Sequence, residues 1–178
     1  MAVSGGSLYR EWWGLPRISS MPLSNISLAR LAAVEPHLAE RIKQLDALAP
    51  ELNIQVVQGL RTWNQQNELY AQGRDGDTRP IVTDGPAGYS WHCFGLAVDV
   101  VPEDVQPGNP DWNISHPAWQ RIVSLSGTIG LVSGSTWRTF PDWPHLQPQE
   151  IPVSPTDADR QDFLEAGMSA VWSEYFPT

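Results

Sequence analysis

The chain has one cysteine, Cys93, and one lysine, Lys43, among its 178 residues. A lone cysteine excludes an internal disulfide, so the fold needs no oxidising compartment. Positive charge is also scarce: eleven Lys and Arg stand against twenty Asp and Glu, a net charge of −9, and none of the ten arginines adjoins another. Phosphate binding needs clustered cations, so no nucleic-acid partner is expected. No apolar run approaches the roughly 18 residues of a membrane span. The opening residues MAVSGGSLYREWWG lack the basic region and the apolar stretch of about 7 to 15 residues that mark a secretory signal. The expectation is a chain made in the cytoplasm and acting elsewhere, or a secreted one whose leader has been removed.

What is present describes a folded domain. Hydrophobic residues make up 41% and charged residues 17%, with nine tryptophans, and the length suits one domain at about 100 to 200 residues each. Residues 1–26, rich in Gly, Ser and Pro and carrying Trp12 and Trp13, read as an irregular N-terminal arm, and residues 27–178 as a single domain. From Ser27 the pattern turns helical, and Pro36 starts a second helix that ends near Pro50. Asn53–Leu60 reads as a strand. Thr62 with Gln65 three residues on is a capping-box pattern, predicting a helix over 63–72 that ends at Gly73. A loop over 74–90 precedes a strand over Leu96–Val101. A helix over 115–126, a short strand near 130–133, a last strand over His145–Gln149 and a helix or two over 156–175 complete the order. Strands and helices in mixed order predict an α+β fold with a small, mostly antiparallel sheet flanked by helices.

The densest chemistry lies in Ser90-Trp91-His92-Cys93-Phe94-Gly95-Leu96-Ala97-Val98-Asp99, and later in Asp142-Trp143-Pro144-His145-Leu146-Gln147. On a strand, Ala97 and Asp99 share one face, which leaves space above the carboxylate, while Leu96, Val98 and Val100 face the core. His92, in the preceding turn, can fold back over Asp99, and His145 comes from the last strand. Two imidazoles and one carboxylate make a three-ligand set with a fourth position open, as a catalytic zinc site requires. Asp142 would lie close enough to take a proton from water activated at the ion. A histidine alone is more often a hydrogen-bonded structural residue; His37, in a helix, and His116, at a helix start, are read that way. Cys93 is rejected as a ligand, because its side chain should point away from that of His92.

The pattern Ser-x-His-x-x-Gly-x-Ala-x-Asp over Ser90–Asp99, followed by the pair Asp142 and His145, resembles the zinc peptidases that cut the peptide stems of peptidoglycan. That group includes D-Ala-D-Ala carboxypeptidases, dipeptidases and L-alanyl-D-glutamate endopeptidases such as those of phage endolysins, and it shares its fold with the hedgehog domain. The resemblance covers residues 28–150, including the stretch from Gln58 to Arg74, and leaves 151–178 as a C-terminal helical segment. It implies one zinc ion held by His92, Asp99 and His145, with Asp142 as general base and Arg61 stabilising the oxyanion. A permanently charged guanidinium suits that task, although a surface arginine paired with Glu68 would look the same in sequence. Ser90 and Gln65 are implied to border the substrate, Gln147 is a candidate partner for a ligand, and Trp137 and Trp143 are candidate groove walls.

Within the group, an aspartate at position 142 and the stretch Arg-Thr-Trp-x-x-Gln followed by Glu-Leu-Tyr-Ala-Gln-Gly-Arg are closer to the L-alanyl-D-glutamate endopeptidases. The alternatives are a D-Ala-D-Ala carboxypeptidase or dipeptidase, and a zinc-containing wall-binding domain without catalysis. The expected partner is the peptidoglycan stem peptide, met by a monomer.

Overall fold

The computed structural model describes residues 23–103 and 111–177; the expected N-terminal arm with Trp12 and Trp13 lies, up to residue 22, outside the described residues. Helix α1, Asn25–Leu31, opens two residues earlier than the pattern predicted, because Ser24 caps it by accepting from the Ser27 amide. Helix α2, Pro36–Leu48, starts at its proline and buries Leu38, Ala39, Ile42 and Leu45. Burial of each large aliphatic contributes about 1.5 to 3 kcal/mol. Its cap, Glu35, accepts from the Leu38 amide, and the Glu35 amide donates to the Gly95 carbonyl. The start of α2 is thus tied to the turn that carries His92.

Strand β1 is Ile54–Gln58, and helix α3, Trp63–Ala71, carries the predicted capping box between Thr62 and Gln65. After the loop, Trp91–Phe94 forms a 3-10 turn and strand β2 runs over Val98–Pro102. The expected strand start at Leu96 is corrected for a local reason. Gly95 takes a left-handed conformation (φ 65°), and the Leu96 amide turns back to the Trp91 carbonyl, so residues 96 and 97 never enter the ladder. Helix α4, Pro117–Thr128, is capped by the His116 side chain accepting from the Ala118 amide, the structural role expected of it. Strands β3, Leu131–Ser133, and β4, His145–Pro148, follow, and then α5, Asp157–Ala166, and α6, Met168–Tyr175, separated by Gly167.

The four strands form one antiparallel sheet in the order β1-β2-β4-β3. One core cluster gathers Leu38, Ile42, Leu45, Val56, Val98, Val100 and Leu146 from α2 and the sheet. A second, more aromatic cluster gathers Trp91, Phe94, Leu96, Ala97, Ile151 and Val171, with Trp63, Phe163 and Trp172 packed against it. Leu96 therefore belongs with the aromatic cluster and not with Val98 and Val100. Among the described residues, no helix is long and apolar enough to cross a membrane.

Candidate metal centre

The sheet register brings the site together. Asp99 on β2 pairs directly with His145 on β4, while their neighbours Val98 and Leu146 pair on the core face. Opposed residues of an antiparallel pair hold their Cβ atoms about 4.5 to 5.5 Å apart, so the carboxylate and one imidazole meet by strand pairing alone. His92 arrives from the 3-10 turn and turns its Nε2 onto the Asp99 Oδ1 at 3.1 Å. Its Nδ1 lies 2.9 Å from the Gly59 carbonyl, which can only accept, so Nδ1 carries a hydrogen, and Nε2 is the ring nitrogen turned toward Asp99 and the space beside it. His145 Nδ1 stands 3.9 Å from the same Asp99 oxygen.

One donor atom from each of His92, Asp99 and His145 lies within 4.8 Å of the others. Around a tetrahedral zinc with bonds of about 2.0 to 2.1 Å, donor atoms are roughly 3.3 Å apart. The 3.1 Å pair already meets that spacing and the 3.9 Å pair is slightly wide. Two imidazoles with one carboxylate are nitrogen and oxygen donors of the kind zinc takes, and a set of three leaves room for water. The residues fit the ion.

Electrostatics agree with a site built for a cation. Burial alone would raise the Asp99 carboxyl, but the facing His92, His145 and Arg61 outweigh it and hold it at about 2. Burial, reinforced by the nearby His92, depresses His145 to about 4, so it is neutral and able to donate an electron pair at physiological pH. Asp142 is pushed the other way, to about 6, first by burial and then by the charge of Asp99. Two carboxylates this close, one forced to ionise and one poised near neutrality, divide into a ligand and a proton acceptor.

Arg61 is buried, at 9% exposure, and its backbone amide donates to the His92 carbonyl. Its guanidinium donates to Gln66 at 2.7 Å and reaches the Asp99 carboxylate at 3.5 Å. The Glu68 pairing considered from sequence is not what holds it. Gln66, fully buried, is anchored in turn by donating to the Gly85 carbonyl at 2.7 Å. Sequence reasoning missed Gln66 and pointed to its neighbour Gln65, whose side chain is used in the capping box. Gln65 and Arg61 nevertheless share an open cleft of about 570 Å³, which Gln58, Gln72 and Arg79 also line.

Ser90 precedes the 3-10 turn, half-buried, and its side chain does not cap that turn. Trp137 packs on His145 with ring centroids 4.8 Å apart, so it does flank the site; Trp143 is half-buried. Cys93 is a buried free thiol in the aromatic cluster, and burial raises its pKa. His37 pairs with Glu35 and stacks on Phe176, a structural role. Gly134 is a second residue that sequence reasoning passed over. A Cβ there would lie 2.7 Å from the Asp142 carbonyl oxygen and 3.1 Å from the Cβ atoms of Asp142 and His145. Only a glycine lets the segment after β3 come this close to both.

Comparison with known proteins finds several peptidoglycan peptidases. A family model described as D-alanyl-D-alanine carboxypeptidase matches residues 83–148, which span His92, Asp99, Asp142 and His145. The chain is 30% identical over 146 residues to the peptidoglycan L-alanyl-D-glutamate endopeptidase CwlK of Bacillus subtilis, covering 77% of this chain and 82% of that protein. In fold it is similar to the L-Ala D-Glu endopeptidase ChiX of Serratia marcescens, with a TM-score of 0.57 and 24% identity over 76% of this chain and 95% of the other. A vancomycin-resistance D,D-dipeptidase matches with a TM-score of 0.48 and 15% identity, over 78% of this chain and 57% of its own.

Proposed function

This chain belongs to the D-alanyl-D-alanine carboxypeptidase family of peptidoglycan peptidases, and from that premise we propose that it hydrolyses the bond between L-alanine and D-glutamate in the stem peptide, with one zinc ion held by His92, Asp99 and His145. The observation that carries the reading is the convergence of those three side chains within 4.8 Å beside a carboxyl near neutrality, Asp142, and a buried guanidinium, Arg61. The similarity to an L-alanyl-D-glutamate endopeptidase supports the choice of bond. Residues 27–178 are proposed to act as a single peptidase domain and as a monomer, at the cell wall.

When bound, zinc supplies a Lewis acid that brings the pKa of water toward about 7 and polarises the scissile carbonyl. Asp142 takes the proton of the attacking water and returns it to the departing D-glutamate amine as the C–N bond breaks. Arg61, fixed by Gln66, faces the oxygen of that carbonyl as it gains negative charge, where a charge already in place needs no reorganisation. Ser90, just before the turn that carries His92, and Gln65, on the cleft that Arg61 also lines, would border the bound peptide.

Digestion of defined muropeptides, followed by mass spectrometry, tests the reading. New amino termini on D-glutamate, abolished by a chelator and restored by zinc, are expected. Loss of terminal D-alanine alone would instead assign the carboxypeptidase activity that the family description names. No cleavage by a zinc-loaded protein would leave a wall-binding module.

A further inference from the structure

Behind His145 lies a hydrogen-bond chain that the mechanism does not use. Gln147, two residues on in β4 and 2% exposed, brings its Oε1 to within 3.0 Å of His145 Nε2 and donates from its Nε2 to the Pro152 carbonyl at 2.9 Å. The Trp91 indole N–H donates to the same carbonyl at 2.8 Å. Pro152 thus ties together the neighbour of one histidine of the site and the side-chain partner of the other.

The chemistry of this chain decides a tautomer. A peptide carbonyl can only accept, so the Gln147 amide must turn its NH₂ toward Pro152 and its oxygen toward His145. That oxygen also only accepts, so His145 Nε2 must carry the hydrogen. The lone pair is then left on Nδ1, the nitrogen that faces Asp99. The opposite outcome has its own attraction: Nδ1–H could donate to the Asp99 carboxylate, which would remove the lone pair from the site. Rotating the amide by 180° would set two acceptor oxygens against each other at 2.9 Å, in a buried place where neither could turn to water instead.

We infer that Gln147 is a positioning residue that holds His145 in the Nε2–H tautomer, and that it does so because the Pro152 carbonyl, on the segment leading to α5 and α6, fixes its amide. The C-terminal segment thereby takes part in presenting the metal donor without touching the metal. Further packing holds that segment in place: Trp91 meets Tyr175 of α6 edge to face at 5.7 Å, and the Tyr175 hydroxyl donates to Asp159 of α5 at 2.9 Å.

The consequence for zinc rests on the function proposed above, but the tautomer does not, so the test begins with metal-free protein. Two-bond ¹H–¹⁵N spectra of ¹⁵N-histidine-labelled protein are expected to show His145 as Nε2–H. Gln147→Met, similar in length but unable to hydrogen-bond the ring, should shift it toward Nδ1–H. The same change should weaken zinc binding, measured by chelator competition, by about 10- to 100-fold. An unshifted tautomer with unchanged zinc affinity in Gln147→Met overturns the inference. If that variant fails to fold, Gln147→Asn replaces it: the shorter amide cannot span both partners, and an unshifted His145 signal there overturns the inference equally. A wild-type protein that binds no zinc would defeat the proposed function, and the metal-free spectra would still decide this point.

Discussion

Replacing Asp142 by asparagine should inactivate the enzyme and, without metal, stabilise it. The side chain is half-buried near Asp99, and its carboxyl rises from 3.8 to about 6. Each pKa unit is worth about 1.4 kcal/mol, so ionising Asp142 costs the metal-free fold about 3 kcal/mol relative to the unfolded chain. The folded pKa is the higher one, so the folded state holds the proton more tightly. The penalty is nearly absent below the unfolded value, grows as pH rises, and is complete above about 6. Asparagine has no charge to bury. In urea denaturation with a chelator present, Asp142→Asn should therefore gain about 3 kcal/mol at pH 8 and very little at pH 4.

The same variant should retain zinc, because His92, Asp99 and His145 are untouched, and should lose about 10²- to 10⁴-fold in kcat, the usual contribution of a general base. Two results would refute the reasoning. Loss of zinc from Asp142→Asn would make Asp142 a ligand. An equal stability of the two proteins at pH 8 would mean that the carboxylate is not buried against Asp99.

Arg61→Ala should lower kcat by about 10²- to 10³-fold with a smaller change in KM; a change confined to KM would make Arg61 a binding residue and not a stabiliser of the oxyanion. Gly134→Ala, whose new methyl would meet the Asp142 carbonyl at 2.7 Å, should cost about 1 to 3 kcal/mol in thermal or urea denaturation and reduce kcat by moving Asp142. An unchanged kcat would show that the segment yields without disturbing the base. The rate kcat/KM should rise with pH as Asp142 loses its proton. The midpoint should lie below the metal-free value of about 6, because a bound dication favours the carboxylate; an acid limb centred above 7 would exclude Asp142 as its source.

How far the sequence could be read depended on how far each partner lies along the chain. Helices announced themselves through local chemistry: Pro36 at a helix start and Thr62 with Gln65 at a cap. The trio His92, Asp99 and His145 was legible because strand alternation orients Asp99 and the motif spacing supplies the rest, and the β2–β4 register then pairs Asp99 with His145. The early strand start at Leu96 failed because a single left-handed glycine, Gly95, delays the ladder. Gln66 and Gly134 depend on partners that no local pattern announces, Gly85 across a loop and Asp142 across the β3–β4 connection; Gln147 was legible beside His145, but its anchor at Pro152 was not. The confusion of Gln65 with Gln66 has a physical basis that applies beyond this chain. A capping box commits the side chain at the third helical position to the backbone before it, so that residue has little left to offer a neighbouring guanidinium. In α3 the next residue, turned into the protein and fully buried, is the one that holds Arg61.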